Sequence, residues 1–313
     1  MSQHPLQAEL VSLNLEELIT RLPKVVDFGP QRLSEYLLWI SVTFTGFFIL
    51  YCCLVLVMYT FNGTFASMKG HLFFGKPQVD YLTRVIAIIH ATIVTVIAYY
   101  GCFYYCDDPK SSIFTDSHCR NSPKLIHVLS CIFTIGYLSF DFVMTLFFNH
   151  ENHSLTYQTY AHHVAGILSF YAALVLRPHA SPFLMGAVAN QFTEISTPFM
   201  NLRQLFFTHK LNDSPIALVN NLLFSLTFIF GRMAFQLCFI CVIPSWILSE
   251  WRAHVHTDYT LFEQMGFYFC CFAQVLGLVL NSYWLTLVLK GLARLLKKGK
   301  APLTKEEALK KAD

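Results

Sequence analysis

The sequence predicts an all-α membrane protein, a polytopic helical bundle of about seven transmembrane helices, on three observations. The 313 residues are 55% hydrophobic and only 13% charged, with 30 Phe and a mean hydropathy of +0.48, too little polar surface for a soluble fold of this size. The apolar residues gather into runs near the roughly 20 residues that cross about 30 Å of hydrocarbon. In lipid, every backbone N–H and C=O needs a partner within its own segment, which makes such runs helices.

Taken in order, residues 1–35 form an N-terminal segment in which Leu6, Leu10, Leu15, Leu18 and Leu22 alternate with Glu9, Glu16 and Glu17. That spacing predicts a short amphipathic helix lying at the membrane surface. Residues 36–83 hold a first transmembrane helix, Leu37 to Phe61, and its loop; this run begins too late and lacks the small-residue site of a cleaved signal peptide. Six more runs follow: Val85 to Cys106, Leu125 to Phe148, His162 to Leu176, Phe183 to Phe206, Ile216 to Ile247 and Gln264 to Leu289. The fourth of the seven reaches span length only if its histidine end is counted. The sixth falls short of the roughly forty residues that two crossings and a turn require, so it reads as one long or tilted helix, with a break expected near Pro244.

Residues 291–313 form a basic tail, and Lys290, Arg294, Lys297, Lys298, Lys300 and Lys305 follow the last run closely, which predicts a cytosolic C-terminus. The chain ends "KKAD", with Lys310 and Lys311 at the fourth and third places from the end, similar to the dilysine signal that coat proteins recognise when they return membrane proteins to the endoplasmic reticulum. Seven crossings then put the N-terminus in the lumen. The acceptor-like triplets at Asn62, Asn152 and Asn212 fall on the cytosolic side, where they are not glycosylated. Most cysteines lie within runs, as small apolar residues. Cys102, Cys106 and Cys119 bracket the lumenal loop, where one disulfide involving Cys119 is compatible with an oxidising compartment.

An ionisable side chain at mid-span costs about 2.5 to 3.5 kcal/mol on insertion scales, so each one asks for a role. Here they share stripes. Ser130, Thr134, Tyr137, Asp141 and Thr145 lie on one helix face; Asn190, Glu194, Thr197 and Asn201 make a second stripe; Asn221, Ser225, Arg232 and Gln236 a third; Gln274 and Asn281 sit two turns apart, and His90 lies early in the second run. Lipid is a poor environment for these faces, so they converge on a common interior. Single hydroxyls and amides there also serve as ordinary helix-to-helix bonds of about 0.6 to 2 kcal/mol each. Arg232 pairs with either Glu194 or Asp141, or those charges serve chemistry.

In "YAHHVAG", His162 and His163 stand side by side at the edge of an apolar run. An imidazole exchanges a proton near neutral pH, and an adjacent acid fixes its tautomer, the equipment of a general base. Adjacent helical residues point about 100° apart, so at most one of the two faces the interior. His162, His163, Asp141 and Glu194 are the candidate catalytic residues, and His90, Asn201, Arg232 and Asn281 the candidate lipid-binding residues. No metal site and no cofactor are expected, since no ligand set has the right spacing, and nothing points to nucleic acid.

At these residues the chain resembles the TLC-domain family, whose members include the translocation-associated TRAM protein, the longevity-assurance ceramide synthases and the ceroid-lipofuscinosis protein of the endoplasmic reticulum. The matching pieces, in family order, are "RVIAIIHATIVT" from Arg84, "GYLSFDFVMTLFF" from Gly136, "HHVAG" from His162, "ANQFTEISTPFMNLRQ" from Ala189, "FGRMAF" from Phe230 and "LNSYW" from Leu280. The resemblance implies a TLC domain of about six helices over 84–290. Ceramide synthases carry a His-Asp pair on the span after their paired histidines, where this chain has "GAVANQFTEISTPF" with Glu194 alone. It resembles instead the branch called TLC-domain-containing proteins. The resemblance implies a protein of the endoplasmic reticulum membrane, cycling through the Golgi or not, that binds membrane lipids or acyl groups and acts in membrane lipid homeostasis. An acyltransferase using acyl-CoA as co-substrate and a trafficking receptor read by its tail are the alternatives.

Overall fold

The computed structural model describes residues 33–61, 74–176, 181–250, 252 and 259–298. The predicted surface helix at Leu6–Leu22, the triplet at Asn62 and the Lys310–Lys311 pair lie outside the described residues. Within them every regular element is a helix, and there is no strand. The elements are α1 (Leu33–Phe61), α2 (Lys76–Phe103), the short α3 (Ser117–Arg120), α4 (Leu125–Phe148), α5 (Ser154–Val175), α6 (Ser181–Asn190), α7 (Thr197–Thr208), α8 (Pro215–Thr227), α9 (Phe235–Glu250) and α10 (Leu261–Lys298). A 3₁₀ segment, Gln191–Ser196, joins α6 to α7, and a π-helical segment, Phe228–Ala234, joins α8 to α9.

Among the described residues, five helical stretches are long and apolar enough to cross a membrane: Leu33–Thr60, Lys76–Phe103, Leu125–Phe148, Pro215–Leu237 and Leu261–Arg294. The runs expected as the fourth and fifth crossings are not among them. The helix containing the fourth begins at Ser154 rather than His162, because the His153 imidazole accepts from the Leu155 N–H at its start, and its first turns are polar. The fifth is divided by the 3₁₀ segment. The sixth departs from α geometry at Phe228–Ala234 and not at Pro244, which α9 passes through. At about 1.5 Å per residue the 38 residues of α10 outreach the hydrocarbon layer.

The helices pack in a ring. α2 meets α4, α4 meets α5, α5 meets α10, α10 meets the π segment, the π segment meets the 3₁₀ segment, and the latter returns to α2. α1 lies against α4, where Gly136 admits it: a Cβ there would overlap Oγ1 of Thr43. Large apolar side chains such as Leu38, Trp39, Phe147, Leu218 and Leu261 face outward, as lipid-contacting residues do. The polar side chains turn inward, where Gln78, Thr83, His90, Ser130, Thr134, His163, Gln191, Arg232 and Gln236 are all buried. The ring therefore encloses a polar interior. At one end the loop between α2 and α4 is closed by a Cys106–Cys119 disulfide, while Cys102 stays a buried free thiol. The same loop holds the Lys124–Asp107 ion pair at 2.9 Å, and Arg120 lies 4.5 Å above the Trp246 ring.

Candidate functional site

The stripe on α4 is the axis of the interior. Ser130 donates to Oε1 of Gln191, and the Gln191 amide donates to Oγ1 of Thr134 at 3.0 Å. One turn on, the Tyr137 ring stacks on His90 with centroids 3.8 Å apart. Another turn on, Asp141 Oδ2 meets Nε2 of His163 at 2.8 Å. One helix face thus reaches the 3₁₀ segment, α2 and α5 in succession, because a step of three or four residues keeps the side chains on one side while the neighbours change.

His163 is held from both nitrogens. Its Nδ1 donates to the Thr159 carbonyl at 2.8 Å, and that oxygen can only accept, so the proton on Nδ1 is fixed. A further proton is then shared between Nε2 and the Asp141 carboxylate. His163 is buried. His162 points elsewhere, as the 100° step requires: its half-buried ring stands 5.8 Å edge-on from His163 and 5.6 Å from Trp284 on α10, whose indole N–H donates to Gln158. Among the described residues His162 makes no hydrogen bond, so its ring nitrogens remain available to a ligand.

The second charged pair is Glu194 with Arg232, at 3.5 Å. Arg232 Nε donates to the Thr193 carbonyl at 3.0 Å and Nη2 to Thr197 Oγ1 at 3.1 Å; the Thr197 hydroxyl in turn donates to Glu194 Oε2 at 2.7 Å. The two alternatives for Arg232 therefore resolve in favour of Glu194, and Asp141 takes His163. Both partners of this pair sit on non-α turns. The 3₁₀ winding eclipses positions three apart, which brings Gln191, Glu194 and Thr197 onto one face, and the π segment turns Arg232 toward them. Gly231 allows the two segments to meet, since a Cβ there would overlap Cγ2 of Ile195. The two charged pairs and His90 all lie in the polar interior that the ring encloses.

His90 is 1% exposed, and neither of its ring nitrogens has a partner among the described residues. A buried polar group in that state is where a water or ligand atom belongs. Asn281 donates to Gln236 Oε1 at 2.6 Å and so ties α10 to α9 beside the π segment, while its own Oδ1 has no partner among the described residues. Asn201 donates to the Thr197 carbonyl one turn back and stays within its own helix. Gln191, Thr193, Thr159 and Trp284, which belong neither to the polar stripes nor to the catalytic and lipid-binding candidates, also contribute to the site. Gln191, three residues before Glu194, lies at the edge of the stripe at α-helical spacing, and the 3₁₀ turn sets it in line with Glu194 and Thr197. Asn220, adjacent to the expected Asn221, makes the bond to α7, to the Phe199 carbonyl at 2.9 Å. No cluster of three metal-ligating side chains occurs among the described residues.

The family model of the TLC domain matches residues 80–290. No curated protein and no solved structure matches the chain.

Proposed function

The chain belongs to the TLC-domain family, and from that premise we propose that it is a multipass protein of the endoplasmic reticulum membrane that binds a lipid or acyl group between its helices and acts in membrane lipid homeostasis. The observation that carries this reading is the buried cluster in which Asp141–His163 and Glu194–Arg232 stand beside an imidazole, His90, whose two nitrogens have no partner among the described residues. Charges at membrane depth are expensive and mark ligand or proton pathways. With Nε and Nη2 of Arg232 engaged, its Nη1 is the donor left for an oxygen of a phosphate or carboxylate headgroup, and Asn201 and Asn281 flank its segments. α5 and the α6–α7 unit complete seven crossings in this reading, since their polar faces turn into the ring while their apolar faces meet lipid. The disulfide at Cys106–Cys119 suits an oxidising lumen. The passages α4, α5, α6–α7, α8–α9 and α10 then leave the basic tail in the cytosol, where coat proteins read Lys310 and Lys311.

The availability of His162 favours a second reading, acyl transfer from acyl-CoA. An acceptor hydroxyl or amine gives its proton to His162 and bonds the acyl carbon; the thioester C–S bond breaks, and the imidazolium returns the proton to the departing thiolate. The Asp141–His163 bond holds the helix from which His162 projects on its other side. Mass spectrometry of the purified protein, reading both bound lipids and intact mass, tests the two readings together. Lipid that copurifies with wild type and is lost in Glu194→Ala supports binding. Product from acyl-CoA and a lysophospholipid or long-chain base that disappears in His162→Ala supports transfer. Absence of any copurifying lipid overturns the binding reading.

A further inference from the structure

A separate cavity of about 40 Å³ lies between α5, α6, α9 and α10, and none of His90, Asp141, His163, Glu194 or Arg232 lines it. Phe170, Ala173, Phe183 and Trp246 form apolar walls. Its polar lining is uncharged. Gln274 Oε1 is buried with no partner among the described residues, the Asn190 amide makes no hydrogen bond among them, and the Ser169 hydroxyl donates to the Gly166 carbonyl, leaving its oxygen free to accept. Phe183, Ala187, Cys271 and Gln274 are half-buried, so this wall reaches the outer face of the helix ring.

We propose that this cavity is a second lipid site, which takes the head of an uncharged, hydroxyl-bearing lipid such as a sterol or a diacylglycerol. A buried carbonyl oxygen without a donor selects a ligand that donates, and a hydroxyl does so. An anionic or cationic headgroup would enter an apolar chamber without a counter-charge, at a cost that one amide does not offset. The volume exceeds the roughly 10–15 Å³ that one water occupies, enough for the hydroxyl and its neighbouring carbons; the hydrocarbon body leaves past Phe183 and Cys271 into the bilayer. The site shares no residue with the charged cluster, so it stands whether or not the proposed function does.

Full-length protein in phosphatidylcholine nanodiscs is labelled with photoactivatable cholesterol, diacylglycerol or phosphatidic acid, and adducts are mapped to peptides. Label from cholesterol or diacylglycerol should fall on the peptides holding Ser169–Ala173 and Cys270–Gln274, and excess unlabelled lipid of the same kind should compete it away; which of the two labels identifies the source. Loss of one neutral hydrogen bond in Gln274→Leu should weaken this labelling about 2- to 10-fold, and Ala187→Phe, which fills the chamber, should abolish it. Glu194→Ala should leave it unchanged, which separates this site from the charged one. Equal labelling by phosphatidic acid, label spread over the outward faces of α1 and α8 without competition, or labelling that persists in both cavity variants would overturn the proposal.

Discussion

Arg232→Met removes the guanidinium and keeps the apolar stem. The side chain is 7% exposed, and its loss strips the Thr193 carbonyl and the Thr197 hydroxyl of their donor and leaves Glu194, 20% exposed, without its counter-charge. Hydrogen bonds to charged groups contribute about 1.5–3 kcal/mol each, and breaking one side of a buried pair costs about 3–5 kcal/mol. Because Glu194 keeps the Thr197 hydroxyl and some solvent contact, a loss of about 3 kcal/mol is expected, at the low end of that range. Glu194→Gln in the same chain removes the uncompensated charge and should recover about 1–2 kcal/mol, a coupling typical of residues in contact. Unfolding by sodium dodecyl sulfate titration from mixed micelles, for both single variants and the double one, measures the cycle. A loss below about 1 kcal/mol in Arg232→Met, or strict additivity in the double variant, would refute the claim that the two non-α segments are joined by a desolvated ion pair.

Other perturbations read other joints of the fold. Gly231→Ala drives a methyl into Ile195 Cγ2 and should destabilise by about 1–3 kcal/mol, with Ile195→Ala in the same chain restoring part of it in the same titration. Cys119→Ser opens the loop closed on Cys106, across a separation of 13 residues, and should cost about 3 kcal/mol; alkylation before and after reduction, read by intact mass, reports the bond itself. Asp141→Asn keeps the shape of the His163 contact but removes its charge, and a loss of about 1–3 kcal/mol of stability is expected, accompanied by altered lipid copurification if the pair faces ligand. Asn152→Gln should change the mass of the protein made in cells by no more than the one methylene it adds; an endoglycosidase-sensitive shift abolished by that substitution would reverse the topology.

The sequence by itself determined that this is an all-α membrane protein with a polar interior, because burial in lipid leaves a coarse signal: long apolar runs, and ionisable residues at helical spacing within them. The α4 stripe was legible for the same reason. Ser130, Thr134, Tyr137 and Asp141 belong to an unbroken α-helix, so counting by three and four gives their common face. The tertiary structure alone decided the partners. Asp141 takes His163 and Glu194 takes Arg232, and spacing cannot show which, since the relative rotation of two helices is set by their packing. The 3₁₀ turn at Gln191–Ser196 changed the angular step per residue and set Gln191 in line with Glu194 and Thr197, and the π segment at Phe228–Ala234 turned Arg232, already on the third stripe, toward them. The two histidines of "YAHHVAG" were visible as a pair from the start. Only the packing of α4 on one side and of α10 on the other divided them into a tethered imidazole, His163, and one without a hydrogen bond among the described residues, His162.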